Sequence, residues 1–235
     1  GKYKTVKRNC EYHMTEQQVK KLRVKTVKPK KRRGIRLGVG SLVLLIFCSF
    51  LIVIATFLQL DITHFIIPSK IFSGEPVTVN DFLYTYKYIP QVPAIMFITG
   101  LLGRRLGITS ILLYIITGLF FIPVFALGGG WRYIFEFGFG YIAGYVIAAF
   151  VAGTMLKKGY SYKNTAKAVL AGVLTIHVTG ILYMMLLAFL KHMGWSFVGD
   201  WIVSQSGIKI IYDFVFSYLA VLVAKYARII LWLYL

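Results

Sequence analysis

Residues 37–60 read LGVGSLVLLIFCSFLIVIATFLQL, a run without a single charge. A stretch of this kind decides most of what the chain can become. About 20 helical residues cross the hydrocarbon core of a bilayer. Backbone placed there must satisfy its own hydrogen bonds, so a run like this becomes a helix. Further apolar runs cover residues 90–102, 108–127, 139–156, 166–190 and 208–223, the last extending toward residue 235. The sequence therefore predicts an all-α membrane protein of six transmembrane helices, with residues 61–87 as a long loop between the first two. Composition agrees: the chain is 58% hydrophobic and only 15% charged, where soluble domains run near a quarter charged.

Charge is unevenly placed. Residues 1–36 hold 14 Lys and Arg against Glu11 and Glu16. They read as a basic tail, separate from a membrane domain over 37–235. Thr15 and Gln18 have the spacing of a capping box for a short helix in that tail. Its lysines suit anionic lipid. A basic run that abuts a membrane span, with no nucleic-acid module beside it, argues against nucleic-acid binding. Short loops rich in Lys and Arg face the cytoplasm. Arg104 and Arg105, then Lys157, Lys158, Lys163 and Lys167, then Lys225 and Arg228 all fall on the tail's side if six helices cross. The opposite loops carry Asp61, Glu75, Asp81, Glu136 and Asp200. Both termini are thus expected in the cytoplasm of a cell-membrane protein. The first apolar run begins too late and runs too long for a cleavable signal, so it is expected to be a retained span. Cys10 and Cys48 suggest neither a disulfide nor a metal site. No nucleotide or hydrolase signature is present, so neither enzymatic activity nor a cofactor is expected.

Two breaks interrupt the apolar pattern near the outer face. Pro90 and Pro93 open a second run that is short for a crossing, and Gly128, Gly129 and Gly130 separate the third run from the fourth. Irregular backbone at membrane depth must be covered by protein or line a cavity, and such interruptions point to binding sites in transporters. The glycines form either a tight turn or a stretch of amides open to a ligand. Trp131, Tyr133, Phe135, Phe137 and Tyr141 surround them, with Arg132 and Glu136 as the charges. Aromatics here act as interface anchors or as pocket walls. Asp213 is the one acid inside an apolar run, with Lys209 four residues before it on the same helical face. A buried carboxylate needs a partner. Asp213 is therefore either half of a structural pair with Lys209 or an acceptor for the N–H groups of a ligand, with Asp200 as the rival carboxylate. His177 lies within the fifth run, where a neighbouring helix would satisfy it. Gly140, Gly144, Ala148 and Ala152 form a small-residue stripe. It packs against another helix of the chain or against another protein. Gly34 and Gly38 make a second such pair.

The stretch YIPQVPAIMFITGLLGRRLGITSILLYIITGLFFIPVFALGGG, followed by FGYIAGY, resembles the BioY family from Tyr88 to about Gly153. These are the biotin-specific substrate-binding (S) components of energy-coupling factor transporters. The resemblance implies a six-helix bundle with an outward-facing cavity that captures biotin. It implies association with a coupling transmembrane protein and ABC-type ATPases, which would hydrolyse the ATP. It places Tyr88, Gln91, Phe125, Gly128, Gly129, Trp131, Glu136, Tyr141, Lys209 and Asp213 at the ligand. The first helix lacks the family's Ala-x-x-x-Ala contact for the coupling protein, for which Gly34 and Gly38 would stand in, and Gly144 and Ala148 of the small-residue stripe are the other candidate partner contacts. The sequence departs from the family at Phe137 and Gly138, where a proline–threonine pair is common. It departs again at Phe216, where a lysine commonly follows the Asp by three residues. Another small vitamin-like ligand and a membrane scaffold are the competing readings.

Overall fold

The computed structural model describes residues 38–234 apart from 69 and 75. The tail over 1–36 and Gly34 lie outside the described residues. α1 is Val39–Phe57, and a ribbon follows it. β1 (Leu60–Phe65) pairs antiparallel with β2 (Leu83–Tyr88), with Leu60 opposite Tyr88 and Phe65 opposite Leu83. Between the strands lie a single turn, α2 (Lys70–Ser73), and a 3-10 turn over Val79–Phe82. The segment expected as a loop is thus an ordered hairpin. LYTYKY has the aromatic and β-branched character that suits a half-exposed pleat. Asp81 pins the connection: it takes Lys70 Nζ at 2.7 Å, and the Thr78 amide and hydroxyl at 2.8 Å each. The lysine contact first, then the Thr78 donors, hold its carboxyl down at about 2.

α3 (Gln91–Phe120), α4 (Phe139–Leu156), α5 (Tyr162–Leu190), α6 (Trp195–Ser206) and α7 (Lys209–Tyr234) complete the order, with a 3-10 turn over Trp131–Phe135 ahead of α4. α3 is one element by hydrogen bonding only. Gly103 breaks it with φ 75° and ψ 177°, a left-handed value that glycine adopts without strain. The chain reverses there. A methyl at Gly107 would lie 3.3 Å from Thr99 Cα, and Gln91 Nε2 reaches the Tyr114 hydroxyl at 3.4 Å. In a straight helix residues 23 apart would be separated by roughly 34 Å. The second half of α3 ends at Phe120, short of residue 127, because Pro123 and the glycines carry the chain through a tight turn (Phe125 and Gly128 exchange both backbone hydrogen bonds). Among the described residues five helical stretches are long and apolar enough to cross a membrane, the last spanning Trp195–Leu231. Gly207 divides that one into α6 and α7. α6 was not expected as a helix.

The core lies among α3, α4, α5 and α7, where Ile95, Met96, Ile98, Ala148, Val173 and Val221 are buried. Small residues set its spacing. A methyl at Gly144 would stand 3.1 Å from Ile176 Cα, and one at Gly172 would stand 2.8 Å from Met96 Cε. The Gly140–Ala152 stripe is therefore the seam between α4 and α5. Gly144 and Ala148 are buried in it, so that face has no room for a partner protein. Gly38 is exposed. The outer sides of α1 and α5 present Ile46, Phe47, Phe50, Leu182 and Leu186, as lipid-facing helices do.

Candidate functional site

One end of the bundle holds a cavity of about 240 Å³, a little under the usual 300–1,000 Å³ range for small-molecule sites. α3 contributes Gln91, α4 contributes Gly138, Tyr141 and Tyr145 around its start, and α6 and α7 contribute Trp201, Gln205 and Lys209. Tyr141 and Tyr145 are four apart and so share one face of α4. Each anchors a separate hydrogen-bond network.

The first network is built on Gln91. Its Nε2 donates to Thr56 Oγ1 at 2.6 Å and to the Tyr114 hydroxyl, and its Oε1 accepts the Tyr145 hydroxyl at 2.9 Å. One side chain thereby joins α1, both halves of α3, and α4. Both of its amide hydrogens and one of its two lone pairs are committed.

The second network is built on Asp213, which has no exposed surface. Its Oδ1 accepts the Tyr88 hydroxyl at 2.7 Å. Its Oδ2 takes Lys209 Nζ at 2.6 Å and faces His177 Nε2 at 3.0 Å. Burial, then the Asp213 carboxylate, push the Tyr88 phenol well up, which keeps it a donor. His177 Nδ1 lies 2.9 Å from Ser206 Oγ, which lies 2.8 Å from the Tyr141 hydroxyl. One assignment satisfies every atom: Tyr141 donates to Ser206, Ser206 donates to Nδ1, and Nε2–H donates to the carboxylate. The imidazole is then neutral, and the ammonium of Lys209 balances the one buried negative charge. Three of the carboxylate's roughly four acceptor positions are filled. Lys209 uses one hydrogen on Asp213 and keeps two at the cavity wall.

Trp201 adds a further donor. Among the described residues its Nε1 is buried and makes only a loose contact with the Tyr141 hydroxyl, outside ordinary hydrogen-bond geometry, a state that carries a desolvation cost. Phe137 packs against its ring with centroids 5.5 Å apart and so positions this wall.

The remaining expected site residues are placed as follows. Gln91, Tyr141 and Lys209 line the cavity. Tyr88 and Asp213 stand directly behind Lys209, with Tyr88 buried. Phe125 is buried against Tyr114 and Tyr133, with ring centroids 5.5 and 4.6 Å away, and supports the wall from outside. Gly128 has φ 117° and makes the turn. Gly129 is packed so closely that a methyl would lie 2.5 Å from Pro123 Cα. Trp131 and Glu136 are exposed and do not line the cavity. Asp200 is exposed beside Tyr84 and Tyr86, at a different depression. Trp201, Gln205, Tyr145 and His177 had not been assigned to the site. Tyr145 was within reach as the residue one turn after Tyr141, whereas the pairing of His177 with Asp213 joins residues 36 apart in the chain.

Residues 28–231 match the family model described as the BioY family. The chain belongs to the BioY family. Every residue of both networks lies within the matched span. Among curated proteins, the chain is 36% identical over 104 residues to the probable biotin transporter BioY of Lysinibacillus sphaericus, covering 41% of this chain and 53% of that one. The match thus spans about half the length of that relative. Among solved structures, it is similar to the S-component for biotin from an ECF-type ABC transporter. The TM-score is 0.59 at 22% identity, over 81% of this chain and 91% of the other. That likeness fixes the fold. Family membership and the apolar helical stretches together make this a multi-pass membrane protein.

Proposed function

We propose that the chain is the membrane-embedded, non-enzymatic subunit that captures biotin for import by an energy-coupling factor transporter. The observation that carries this reading is the Lys209–Asp213 pair at the wall of a compact, largely apolar cavity in a chain of this family. Biotin offers a ureido carbonyl flanked by two N–H groups, an apolar thiophane ring and chain, and a terminal carboxylate. Lys209 meets an oxygen of the ligand with its two free hydrogens while Asp213 holds the ammonium in place. Trp201 supplies a second donor, and the tyrosine faces of α4 cover the apolar ring.

The same reading takes the break at Gly103 as a turn between two crossings, giving six in all, with the basic tail over 1–36 and the C-terminus in the cytoplasm. The cavity then opens outward, at the end of the bundle away from Arg104, Arg105 and Arg228. A coupling transmembrane protein and ABC-type ATPases would supply the energy. The test is equilibrium binding of biotin to the detergent-purified protein, with lipoate and pantothenate as competitors. Saturable binding at one site, displaced by neither competitor, is the expected result. A folded sample that takes up no biotin would overturn the assignment of the ligand.

A further inference from the structure

At the other end of the bundle a second cavity, of about 370 Å³, opens between the break at Gly103, the end of α4 and the last turns of α7. Gln91 and Gly103 bound the first half of α3, so roughly 18 Å of helix separates this cleft from the candidate binding cavity. Arg104, Arg105, Lys157 and Arg228 line it, and among the described residues no acidic side chain does. Among the described residues none of the four is ion-paired.

The cleft is built from the break itself. A methyl at Gly153 would meet Arg104 Cα at 2.9 Å, so glycine lets the turn sit against α4. The Tyr160 hydroxyl donates to the Gly100 carbonyl at 2.7 Å, one of the acceptors that the end of a helix leaves without a partner. Arg228 Nη1 donates to that same hydroxyl at 3.0 Å, and its guanidinium lies over the Tyr160 ring. Arg104 is steadied by Thr154 at 3.2 Å and by the Phe150 ring. Two guanidiniums are thus oriented by the fold while most of their N–H groups stay uncommitted, and Arg105 and Lys157 add exposed charge beside them.

Converging like charges with no counter-charge among the described residues call for an anion. Guanidinium forks match the paired oxygens of phosphate, and basic pockets between membrane helices hold lipid headgroups. We infer that this cleft binds a phosphate-bearing anion, with the headgroup of an anionic phospholipid as the source that its place at the helix ends favours. The inference does not depend on the biotin reading.

The intact protein in a neutral detergent is titrated with dioctanoyl-phosphatidylglycerol, dioctanoyl-phosphatidylcholine and inorganic phosphate. Binding is read by native mass spectrometry and by the shift in unfolding temperature. The expected result is saturable binding of the glycerol lipid and none of the choline lipid. Arg105→Gln/Arg228→Gln should weaken it by about thirty-fold, the effect of two basic contacts at a charged lipid surface. Lys163→Gln/Lys167→Gln, which removes two charges outside the cleft, should leave it unchanged. Saturable binding of inorganic phosphate with the same variant pattern assigns the cleft to a soluble anion. Equal weakening in both double variants means diffuse surface charge and overturns the inference, as does binding of neither probe.

Discussion

Asp213→Asn tests the electrostatic account most directly. The substitution keeps the side chain's size and removes its charge. The amide oxygen can still accept from Tyr88, but the amide nitrogen then points hydrogens at the ammonium of Lys209 and at His177. The Lys209 side chain is only 17% exposed, so its charge is left with neither a counter-ion nor full hydration. Breaking a buried pair from one side costs about 3–5 kcal/mol. At about 2–4 °C per kcal/mol for a chain of this size, the unfolding temperature should fall by about 6–20 °C. The assay is thermal unfolding of the detergent-purified, ligand-free protein followed by tryptophan fluorescence. Lys209→Met/Asp213→Asn supplies the control, because it removes the stranded charge and should recover most of the loss. A single variant that unfolds with the wild type, or a double variant no more stable than the single one, would refute the reasoning.

Trp201→Phe removes one unpartnered donor and little volume. Biotin affinity should drop about tenfold, the worth of one hydrogen bond, at an unfolding temperature unchanged or raised by relief of that desolvation cost, and unaltered affinity would take Trp201 out of the site. Gly129→Ala drives a methyl into the backbone at Pro123 and should cost about 1–3 kcal/mol of stability. Gly138→Ala meets nothing within 4 Å, so it should stay within about 0.5 kcal/mol of the wild type and weaken binding by narrowing the cavity; thermal melts beside biotin titrations separate the two. The Asp81 carboxyl sits at about 2, below its ordinary 3.8. Its cap on Thr78 is therefore complete above about pH 4 and lost as pH falls through about 2. Amide exchange at Thr78 across that range should lose protection in that window and no higher.

The membrane helices were legible because hydrocarbon imposes length and apolarity, and both are written directly into the chain. The Lys209–Asp213 pair was legible for a related reason: four residues on a helix is a contact that spacing alone declares. α6 was not legible, since WSFVGDWIVSQS is too short to span and too mixed to show a period. With it went Trp201 and Gln205. The β-ribbon is not legible because its strands flank a connection tied together by Lys70 and Asp81, eleven residues apart. The glycine cluster stands out in the sequence, yet its chemistry depends on what packs around it: Gly129 meets Pro123, a contact no local pattern encodes. Gln91 stood in a motif, but its partners Thr56, Tyr114 and Tyr145 come from three other segments, and only the folded chain shows that it joins them.

The break at Gly103 has a consequence for electricity. From Gln91 to that break the chain climbs only twelve residues, about 18 Å, where the hydrocarbon is about 30 Å thick. With the six crossings proposed above, the two cavities open to opposite faces and approach each other through a thin insulator, as the plates of a capacitor do. A membrane potential falls mainly across the dry layer, so under that topology the field in the bundle would be steeper than in the surrounding lipid. A charge resting in the Lys209 cavity would then feel little of it, and one carried to the Arg104 cleft would cross nearly all of it, at about 2.3 kcal/mol per 100 mV.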